Sequence, residues 1–321
     1  MSTPPTNAAH ILVTGGAGFI GSHLVERLLA DGERVAVIDD GSTGAWANLA
    51  AVRGHPALEC IEARVSACAE LDRLVAQSRF VFHLAAAVGV ELVIHSPIRT
   101  IETNLRETEA VLEAASRHRV PLLLTSTSEV YGKSQRAEFS EDDDLLIGPP
   151  HLGRWSYACS KLMDEFLALA HHRERGLPVI IARLFNTVGP RQTGRYGMVL
   201  PRFIEAARAG RPLRVHGDGS QTRCFCHVLD TVEALTRLMR CPDALGQVVN
   251  VGSTEETTIR ALAEMIVDAT GSESTIEVVP YDSAYEPGFE DMLRRRPSVA
   301  KLERLTGFKP ARRLAEIIRA A

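Results

Sequence analysis

The chain has 321 residues, of which 45% are hydrophobic and 24% are charged, and its formal net charge is −4. This length fits one large α/β unit or two lobes, and the charge provides no electrostatic drive toward nucleic acid or an anionic membrane. The first residues, MSTPPTNAAH, lack the basic and apolar regions of a signal peptide, and no apolar run approaches a membrane span. We expect a cytoplasmic protein that binds neither nucleic acid nor membrane.

The six cysteines are scattered and show no disulfide framework, which predicts reduced thiols. Cys224 and Cys226 precede His227, a combination that also occurs in metal sites. The alternation of this stretch is typical of a strand, which would turn Cys226 and His227 to opposite faces, and no second ligand pair follows. We therefore predict no metal site.

The chain begins with a pattern of strand, glycine-rich turn and helix. HILVT (10–14) is a short apolar strand, GGAGFIG follows it, and SHLVERLLADG has apolar positions at helical spacing. Gly15, Gly18 and Gly21 would provide the tight turn, the close approach to a pyrophosphate, and close helix packing. The second strand, ERVAVID, ends on Asp39. An acid there accepts hydrogen bonds from ribose hydroxyls and repels a 2′-phosphate, so the pattern predicts NAD rather than NADP.

Strands and helices then alternate, which predicts an α/β fold with a doubly wound parallel sheet of the Rossmann type. A third strand (ALECIEA) leads to Arg64 and Val65, and a fourth ends in HLAAA, where small side chains allow close approach of a dinucleotide. We expect His83 in this strand to be a core residue. A helix over 97–118 precedes the fifth strand, VPLLLTSTS. The polar run Thr125–Glu129 thus falls at a strand's carboxyl end, where such sheets bind ligands.

Tyr157 and Lys161 follow some thirty residues later and are four apart at the start of a predicted helix, so they share one helical face. An ammonium group beside a phenol stabilises the phenolate, which predicts a lowered tyrosine pKa and a base for a sugar hydroxyl. The acidic run at 141–144 is expected to be a solvated loop, because its carboxylates are consecutive and not spaced to converge on a metal.

The second half predicts a strand over 177–183, a helix over 201–209, and a pair of strands within 210–230 joined by a turn. A helix over 230–240, a strand containing Asn250 and a helix over 258–271 follow. Arg223 stands in an apolar context, RCFCHV, which favours a buried ligand contact over a surface charge. In RRRPS (294–298), we expect Arg294 and Arg296 to point outward.

The motifs TGGAGFIGSHL, HLAA, STSEVYG, YACSK and RLFNTVGPRQ together resemble an extended short-chain dehydrogenase/reductase that acts on nucleotide sugars. The resemblance covers almost the whole chain after the first nine residues. It implies an NAD-binding Rossmann domain over 1–183, rejoined by about 226–252, and a smaller discontinuous substrate lobe over 184–225 and 253–321. It also implies a homodimer through the helices holding 105–115 and 157–170. The cofactor-binding residues that we predict are Gly15, Gly18, Phe19, Ile20, Gly21, Asp39, Val65, Leu84, Ala85, Ala86, Thr125, Tyr157 and Lys161.

Within this family, the sequence is most similar to the UDP-glucuronate decarboxylases, in the segment before Tyr157 and in the Arg-x-Pro-Ser motif that would place a catalytic arginine at Arg295. The resemblance implies oxidation of UDP-glucuronate at C4 to a β-keto acid, loss of CO₂ to an enolate, and release of UDP-4-keto-pentose or its reduction to UDP-xylose. The catalytic residues predicted are Thr127, Ser128, Glu129, Tyr157, Lys161 and Arg295, and the substrate-binding residues are Arg154, Asn186, Arg191, Arg195 and Arg223.

Three alternatives stay open at this stage. A UDP-sugar 4-epimerase shares the opening steps, although simple 4-epimerases usually lack an acid at Glu129. A 4,6-dehydratase usually carries Asp where Ser128 stands, although the GDP-mannose enzymes have a Ser-Glu pair. A nucleotide-sugar sensor without turnover would have no use for Tyr157 and Lys161. Two residues depart from the decarboxylase pattern: Arg64 replaces an Asp at the adenine site, and Met198 replaces an Arg.

Overall fold

A seven-stranded parallel sheet forms the centre of the molecule. The computed structural model describes residues 9–89, 95–194, 198–280 and 292–320. The strands are β1 (His10–Thr14), β2 (Val35–Asp39), β3 (Leu58–Glu62), β4 (Ser78–His83), β5 (Leu122–Thr127), β6 (Val179–Leu184) and β11 (Val248–Val251). Their order in the sheet is β3-β2-β1-β4-β5-β6-β11, as expected for a doubly wound α/β fold.

Helices cover both faces of this sheet, because its inner strands are apolar on both sides. Alternate residues of β1 pack into two different apolar cores, one on each face of the sheet. Ile11 and Val13 pack into the first core, and Leu12 packs into the second. The helices are α1 (Phe19–Ala30), α2 (Leu71–Ala76), α3 (Pro97–His118), α4 (Ser156–Arg175), α5 (Val199–Arg208), α6 (Val228–Met239), α7 (Ile259–Thr270), α8 (Ala300–Thr306) and α9 (Leu314–Ala320). Helices α1 and α6 supply one core, and α2, α3 and α4 supply the other.

A third apolar cluster lies among α5, α7 and α9 and includes Phe203, Leu262 and Ile317. Two short sheets border it. Strand β8 (Leu213–His216) pairs in parallel with β13 (Ile276–Val279), and β9 (Thr222–Cys224) pairs antiparallel with β12 (Glu256–Thr258). A further pair, β7 (Thr187–Val188) with β10 (Cys226–His227), leads back to the central sheet.

The prediction that the segment 210–230 forms a strand pair is therefore wrong. Both strands exist, but each takes its partner from the C-terminal part of the chain. The intervening turn passes through Gly217 (φ 71°) and Gly219 (φ 77°), left-handed conformations that glycine adopts at little cost. A Cβ on Gly219 would lie 2.8 Å from Val215 Cγ1, so the turn folds tightly against β8 and separates the two strands.

The remaining predicted elements agree with the structure to within a few residues. Helix α3 has the predicted bounds, with Pro97 in its first turn and left-handed Arg119 as its C-cap. Thr258 caps α7 through its hydroxyl, which accepts the Ala261 N–H, and left-handed Gly271 ends that helix. None of the helices in the described ranges combines the length and apolarity that crossing a membrane requires.

Candidate active site

The turn between β1 and α1 has a shape that only glycine permits. Gly15 has φ 72°, and a Cβ there would lie 2.7 Å from the backbone nitrogen of Ala85. A Cβ on Gly21 would lie 2.1 Å from the carbonyl oxygen of Gly15. Helix α1 starts at Phe19, and its N-cap, Gly18, offers no side chain to the first N–H groups. The turn is thus built for a phosphate group at the helix N-terminus.

Asp39 at the end of β2 braces this turn. Its Oδ2 accepts the N–H of Ala17 at 2.9 Å, and its Oδ1 accepts the N–H of Gly41 at 2.8 Å. Each carboxylate oxygen retains a further lone pair with which to accept a ribose hydroxyl. Arg64, which departs from the family pattern, forms an ion pair with Asp40 at 3.5 Å. These residues fit the adenosine end of a dinucleotide.

His83 at the end of β4 is a satisfied core residue, as predicted. It is buried, and its ring lies 2.7 Å from Thr14 Oγ1 and 3.2 Å from Thr108 Oγ1. Thr125 Oγ1 donates to the His83 carbonyl at 3.0 Å, which joins β4 and β5 where both strands end.

A cleft opens at the carboxyl ends of β4, β5 and β6 and extends to α5 and β8. Most of the predicted site residues are brought together in its wall. Those that line it are Phe19, Ile20, Leu84, Ala86, Thr125, Thr127, Ser128, Glu129, Arg154, Tyr157, Lys161, Asn186, Arg223 and Arg295. Gly15, Gly18, Gly21, Asp39, Val65 and Ala85 lie at or beyond the ends of the neighbouring strands β1 to β4.

Glu129 lies between two arginines in the wall of this cleft. Arg154 donates a hydrogen bond to Glu129 Oε2, and Arg295 Nη1 lies 3.4 Å from both Glu129 Oε1 and Ser128 Oγ. Both arginines are 9% exposed. The two guanidinium groups hold the pKa of the Glu129 carboxyl at about 2, although burial opposes them. These three side chains form an arginine–glutamate cluster, which places two guanidinium groups and one carboxylate in the wall of the cleft.

Tyr157 and Lys161 share one face of α4, as their spacing predicts. Lys161 Nζ donates to Asp164 Oδ2 at 2.8 Å. Burial and then the Glu129 charge raise the pKa of Tyr157, while a hydrogen bond with Thr127 lowers it. The prediction of a lowered tyrosine pKa is thus wrong for this structure, because burial and the Glu129 charge raise it.

A buried amide fixes the segment that carries Arg295. Asn250 Nδ2 donates to the carbonyl oxygens of Phe139 and Ser298 at 3.0 and 3.3 Å, and Tyr131 OH donates to Asn250 Oδ1 at 2.8 Å. The Asn250 N–H donates to Glu141 Oε1 at 2.8 Å. The acidic run at 141–144 is therefore not merely a solvated loop, since its first carboxylate anchors the end of β11.

Arg223 holds the same C-terminal segment from the other side. Its Nη1 donates to the Met292 carbonyl at 2.8 Å, and Thr222 N–H donates to the Leu293 carbonyl at 2.9 Å. Asn186 Nδ2 donates to the Cys224 carbonyl at 3.1 Å, which ties the loop after β6 to β9. Arg223 is buried, as expected, and both predicted residues face the cleft.

One predicted substrate residue, Arg191, is not among those that line this wall. Arg191 has φ 71° and reaches Glu26 on α1 at 2.6 Å, so it lies against the nucleotide-binding helix. Arg195 lies outside the described residues. As predicted, Arg294 and Arg296 point outward, and they form ion pairs with Glu256 and Glu138.

The sequence analysis missed Asp164, the buried partner of Lys161, although it lies three residues after the lysine on the same helical face. The polar side chains Gln192, Arg202, Arg214, His216 and Gln221 line the cleft, beside Met198. Gln192 ends the RLFNTVGPRQ motif but was not singled out, and the other four lie outside the recognised motifs, so only the fold brings them to the site. Within the described ranges, no cluster of His, Cys, Asp and Glu could hold a metal ion.

The comparisons with known proteins agree with this geometry. The NAD dependent epimerase/dehydratase family matches residues 11–252. A UDP-N-acetyl-alpha-D-glucosaminuronate decarboxylase of Bacillus cytotoxicus is 42% identical over 93% of this chain and 92% of its own. UDP-glucuronic acid decarboxylase 1 of Danio rerio is 36% identical over 95% of this chain and 70% of its own.

Solved structures extend the likeness to the whole fold. UDP-glucuronic acid 4-epimerase of Bacillus cereus, in complex with NAD and UDP-4-deoxy-4-fluoro-glucuronic acid, is 28% identical and aligns with a TM-score of 0.86 over 97% of each chain. The expected resemblance to nucleotide-sugar enzymes and the expected α/β fold are both confirmed. The chain belongs to the NAD dependent epimerase/dehydratase family.

Proposed function

We propose that this protein decarboxylates a UDP-hexuronate by NAD-dependent oxidation at C4. The observation that carries the proposal is the pair of buried guanidinium groups, Arg154 and Arg295, that line the same cleft as Tyr157. A sugar carboxylate can accept charge-assisted hydrogen bonds from guanidinium groups, whereas a neutral hexose offers them no charge. The relatives named as decarboxylases of UDP-sugar acids support the same assignment.

The site's residues divide the chemistry among them. Tyr157 takes the proton of the C4 hydroxyl, and Thr127 hydrogen-bonds the phenol. The chemistry that bound NAD supplies is acceptance of hydride from C4. The resulting β-keto acid loses CO₂ from C5, and hydrogen bonds from Tyr157 and Thr127 or Ser128 to O4 stabilise the enolate. Arg295 and Arg154 hold the departing carboxylate, and Glu129 keeps the two guanidinium groups apart and oriented.

Protonation of the enolate at C5 completes the loss of CO₂. Hydride return to C4 then gives the UDP-pentose, which is UDP-xylose for a glucuronate substrate. Release of the ketone gives UDP-4-keto-pentose and leaves the cofactor reduced. Both products lack the carboxylate, so the two endings share the step that the arginine–glutamate cluster serves.

We assign NAD to the turn between β1 and α1. The absence of Cβ atoms at Gly15 and Gly21, the uncapped N-terminus of α1 and the Asp39 carboxylate support this assignment. The substrate lobe consists of the third apolar cluster and its short sheets, and Asn186 and Arg223 face the nucleotide sugar from it.

A second substrate has a specific observation in its favour. The Bacillus cytotoxicus relative, at 42% identity, is named for an N-acetylated UDP-sugar acid, whereas the glucuronate decarboxylase of Danio rerio is 36% identical. The two sugars carry the same carboxylate and the same C4 hydroxyl, and they differ at C2. UDP-N-acetylglucosaminuronate is therefore the second candidate, and the same catalytic residues would serve it.

The test of the decarboxylase proposal is the Arg295→Ala variant. It should lower CO₂ release on the order of a hundredfold or more, because the carboxylate loses a charged partner in the transition state. Arg294→Ala is the matched control, since Arg294 is the adjacent, exposed arginine and pairs with Glu256. Near-normal CO₂ release by the Arg295 variant would contradict the role assigned to Arg295. Conversion of UDP-glucuronate to UDP-galacturonate by the unmodified protein would indicate a 4-epimerase instead.

We also propose that the protein forms a homodimer through α3 and α4. Ile98, Ile101, Met163 and Phe166 are exposed apolar residues on these two helices, and α3 packs against α4 in the protomer. Exposed apolar patches of this kind mark contact surfaces, and a second copy of the same helix pair would cover them.

A further inference from the structure

The segment 186–192, which follows β6, lines the cleft on both sides of a sharp turn. Residues 186–188 before the turn and Gln192 after it border the cleft. In the turn itself, the Gln192 N–H donates to the Gly189 carbonyl at 3.2 Å. Arg191 lies in this turn with φ 71°, a left-handed conformation that is uncommon and unfavourable for residues other than glycine. Contacts made by the Arg191 side chain must offset that cost.

These contacts are on helix α1. Arg191 Nη2 donates to Glu26 Oε1 at 2.6 Å, and its Nη1 donates to Ser22 Oγ at 3.2 Å. The neighbouring Pro190 carbonyl accepts a hydrogen bond from His23 Nε2 at 3.0 Å. Glu26 is four residues after Ser22 and three after His23, spacings that place side chains on one side of a helix. We call this contact between residues 190–191 and α1 the Arg191 clasp.

The clasp is more than an exposed ion pair. The side chains of Arg191 and Glu26 are 25% and 27% exposed, so both are partly shielded from water, and the guanidinium group also binds a hydroxyl. Fully exposed pairs, by contrast, contribute little. Arg27 of the same helix offers a comparison, because it also reaches another element, at Glu233 of α6. That second pair joins α1 to a helix, whereas the clasp joins it to the cleft.

The first turn of α1 also contains the assigned cofactor site. Gly18 is the N-cap at the phosphate site, and its carbonyl accepts the Ser22 N–H at 3.0 Å. Phe19 and Ile20 of this turn line the cleft. The Phe19 ring packs edge-on against the ring of His23, with 6.0 Å between their centroids. The clasp is therefore one helical turn from the phosphate site and directly beside side chains that border the cleft.

We propose that Arg191 is a positioning residue that couples the binding of the cofactor to the binding of the nucleotide sugar. The inference rests on the proposed NAD and nucleotide-sugar sites. Bound NAD fixes the first turn of α1, and the clasp extends this order to the segment 186–192. The nucleotide sugar then loses less conformational entropy when it binds. By thermodynamic linkage, the nucleotide sugar raises the affinity for NAD by the same factor.

The test is calorimetric titration with NAD and with UDP, each alone and in the presence of a saturating amount of the other. UDP lacks the hexuronate, so no turnover occurs. In the unmodified protein, each ligand should raise the affinity for the other by about fivefold or more. In Arg191→Met, which keeps an unbranched side chain without charge or donors, this factor should fall below about twofold, while each ligand alone still binds.

Three further variants sharpen the result. Glu26→Gln weakens the clasp from the helix side and should lose the same coupling. The combined Glu26→Gln and Arg191→Met variant should lose no more than either single variant, because both act through one contact. Arg27→Met is the matched control, since it removes an ion pair of α1 that does not reach the cleft, and it should keep the full coupling factor.

A merely structural role for Arg191 gives a different result. Arg191→Met would then lower thermal stability and weaken the binding of each ligand alone, while the coupling factor stayed unchanged, and this outcome would overturn the proposal. So would the absence of coupling in the unmodified protein. CO₂ release without coupling would reject this inference and leave the decarboxylase proposal standing. Coupling without CO₂ release would support Arg191 in its role and reject the decarboxylase proposal.

Discussion

At the scale of single residues, Glu129 joins the two arginines of the candidate active site. It lies between Arg154 and Arg295, and these guanidinium groups keep it ionised down to a pKa of about 2. Its carboxylate cannot be the group that titrates in an activity profile near neutral pH. Tyr157, whose pKa is shifted upward by burial, is the group expected to set the acid limb.

Glu129→Gln should destabilise the fold in a pH-dependent way. The folded-state pKa lies below the ordinary value of 4.5, so the stabilisation is complete above about pH 4.5 and is lost as the pH falls toward 2. Near neutral pH the variant leaves two buried arginines without their carboxylate, at a cost of about 2 kcal/mol of unfolding free energy.

Thermal melts at about pH 7 and about pH 3 measure this effect. The difference in stability between the unmodified protein and the Glu129→Gln variant should shrink at the lower pH. Glu138→Gln, an exposed acid that pairs with Arg296 at 3.9 Å, is the control. A stability difference that is equal at both pH values would show that Glu129 is not held as an ion between the arginines.

At the scale of elements, the turn between β1 and α1 depends on backbone atoms that a side chain would displace. Gly21→Ala places a methyl group 2.1 Å from the Gly15 carbonyl oxygen, so the helix must move away from the turn. We expect NAD affinity to fall by more than about tenfold, because the phosphate site is formed by that approach. Calorimetric titration with NAD measures it.

Gly54→Ala is the matched control for this turn, because a Cβ there meets nothing within 4 Å. It should bind NAD as the unmodified protein does. Equal affinity for NAD in the unmodified protein, the Gly21→Ala variant and the Gly54→Ala variant would exclude the turn as the phosphate site.

The element that carries Arg295 is positioned by the Tyr131–Asn250 pair. Tyr131→Phe removes the hydrogen bond to Asn250, which should cost about 1 kcal/mol of stability and slow CO₂ release. A double-mutant cycle with Asn250→Ala tests the coupling, since residues that share one network give non-additive effects. Additive losses in rate would mean that the pair does not position Arg295.

These elements also show which features the sequence makes predictable. Strands β1 to β6 and helix α3 follow from periodicity, and the turn glycines follow from their spacing. The partners of β8 and β9 cannot be predicted in this way. Both pairings join segments some 30 to 65 residues apart, and local sequence patterns do not encode pairings over that separation. The Lys161–Asp164 contact was missed for a different reason: the sequence analysis considered only Tyr157 as a neighbour of the lysine, although Asp164 lies three residues away on the same helical face.

At the scale of the whole molecule, a substitution on the exposed apolar face of α3 and α4 tests the proposed dimer. Phe166 is 59% exposed and Met163 is 55% exposed, and Phe166→Glu would introduce a charge into the contact. Sedimentation should show a dimer for the unmodified protein and a monomer for the variant. Val278→Glu, at an exposed position on β13, should remain dimeric. A monomer in every case would rule out this interface.

The residues of the central sheet and of the third apolar cluster border one cleft, and the assignment finally depends on the chemistry that takes place in that cleft. The measurement that tests it most directly is proton NMR of the purified protein with NAD and UDP-glucuronate, repeated with UDP-N-acetylglucosaminuronate, while CO₂ is followed. The account predicts loss of the carboxylate from one of these sugars, with a UDP-pentose or UDP-4-keto-pentose as product. A product that keeps its carboxylate and inverts only at C4 would contradict it.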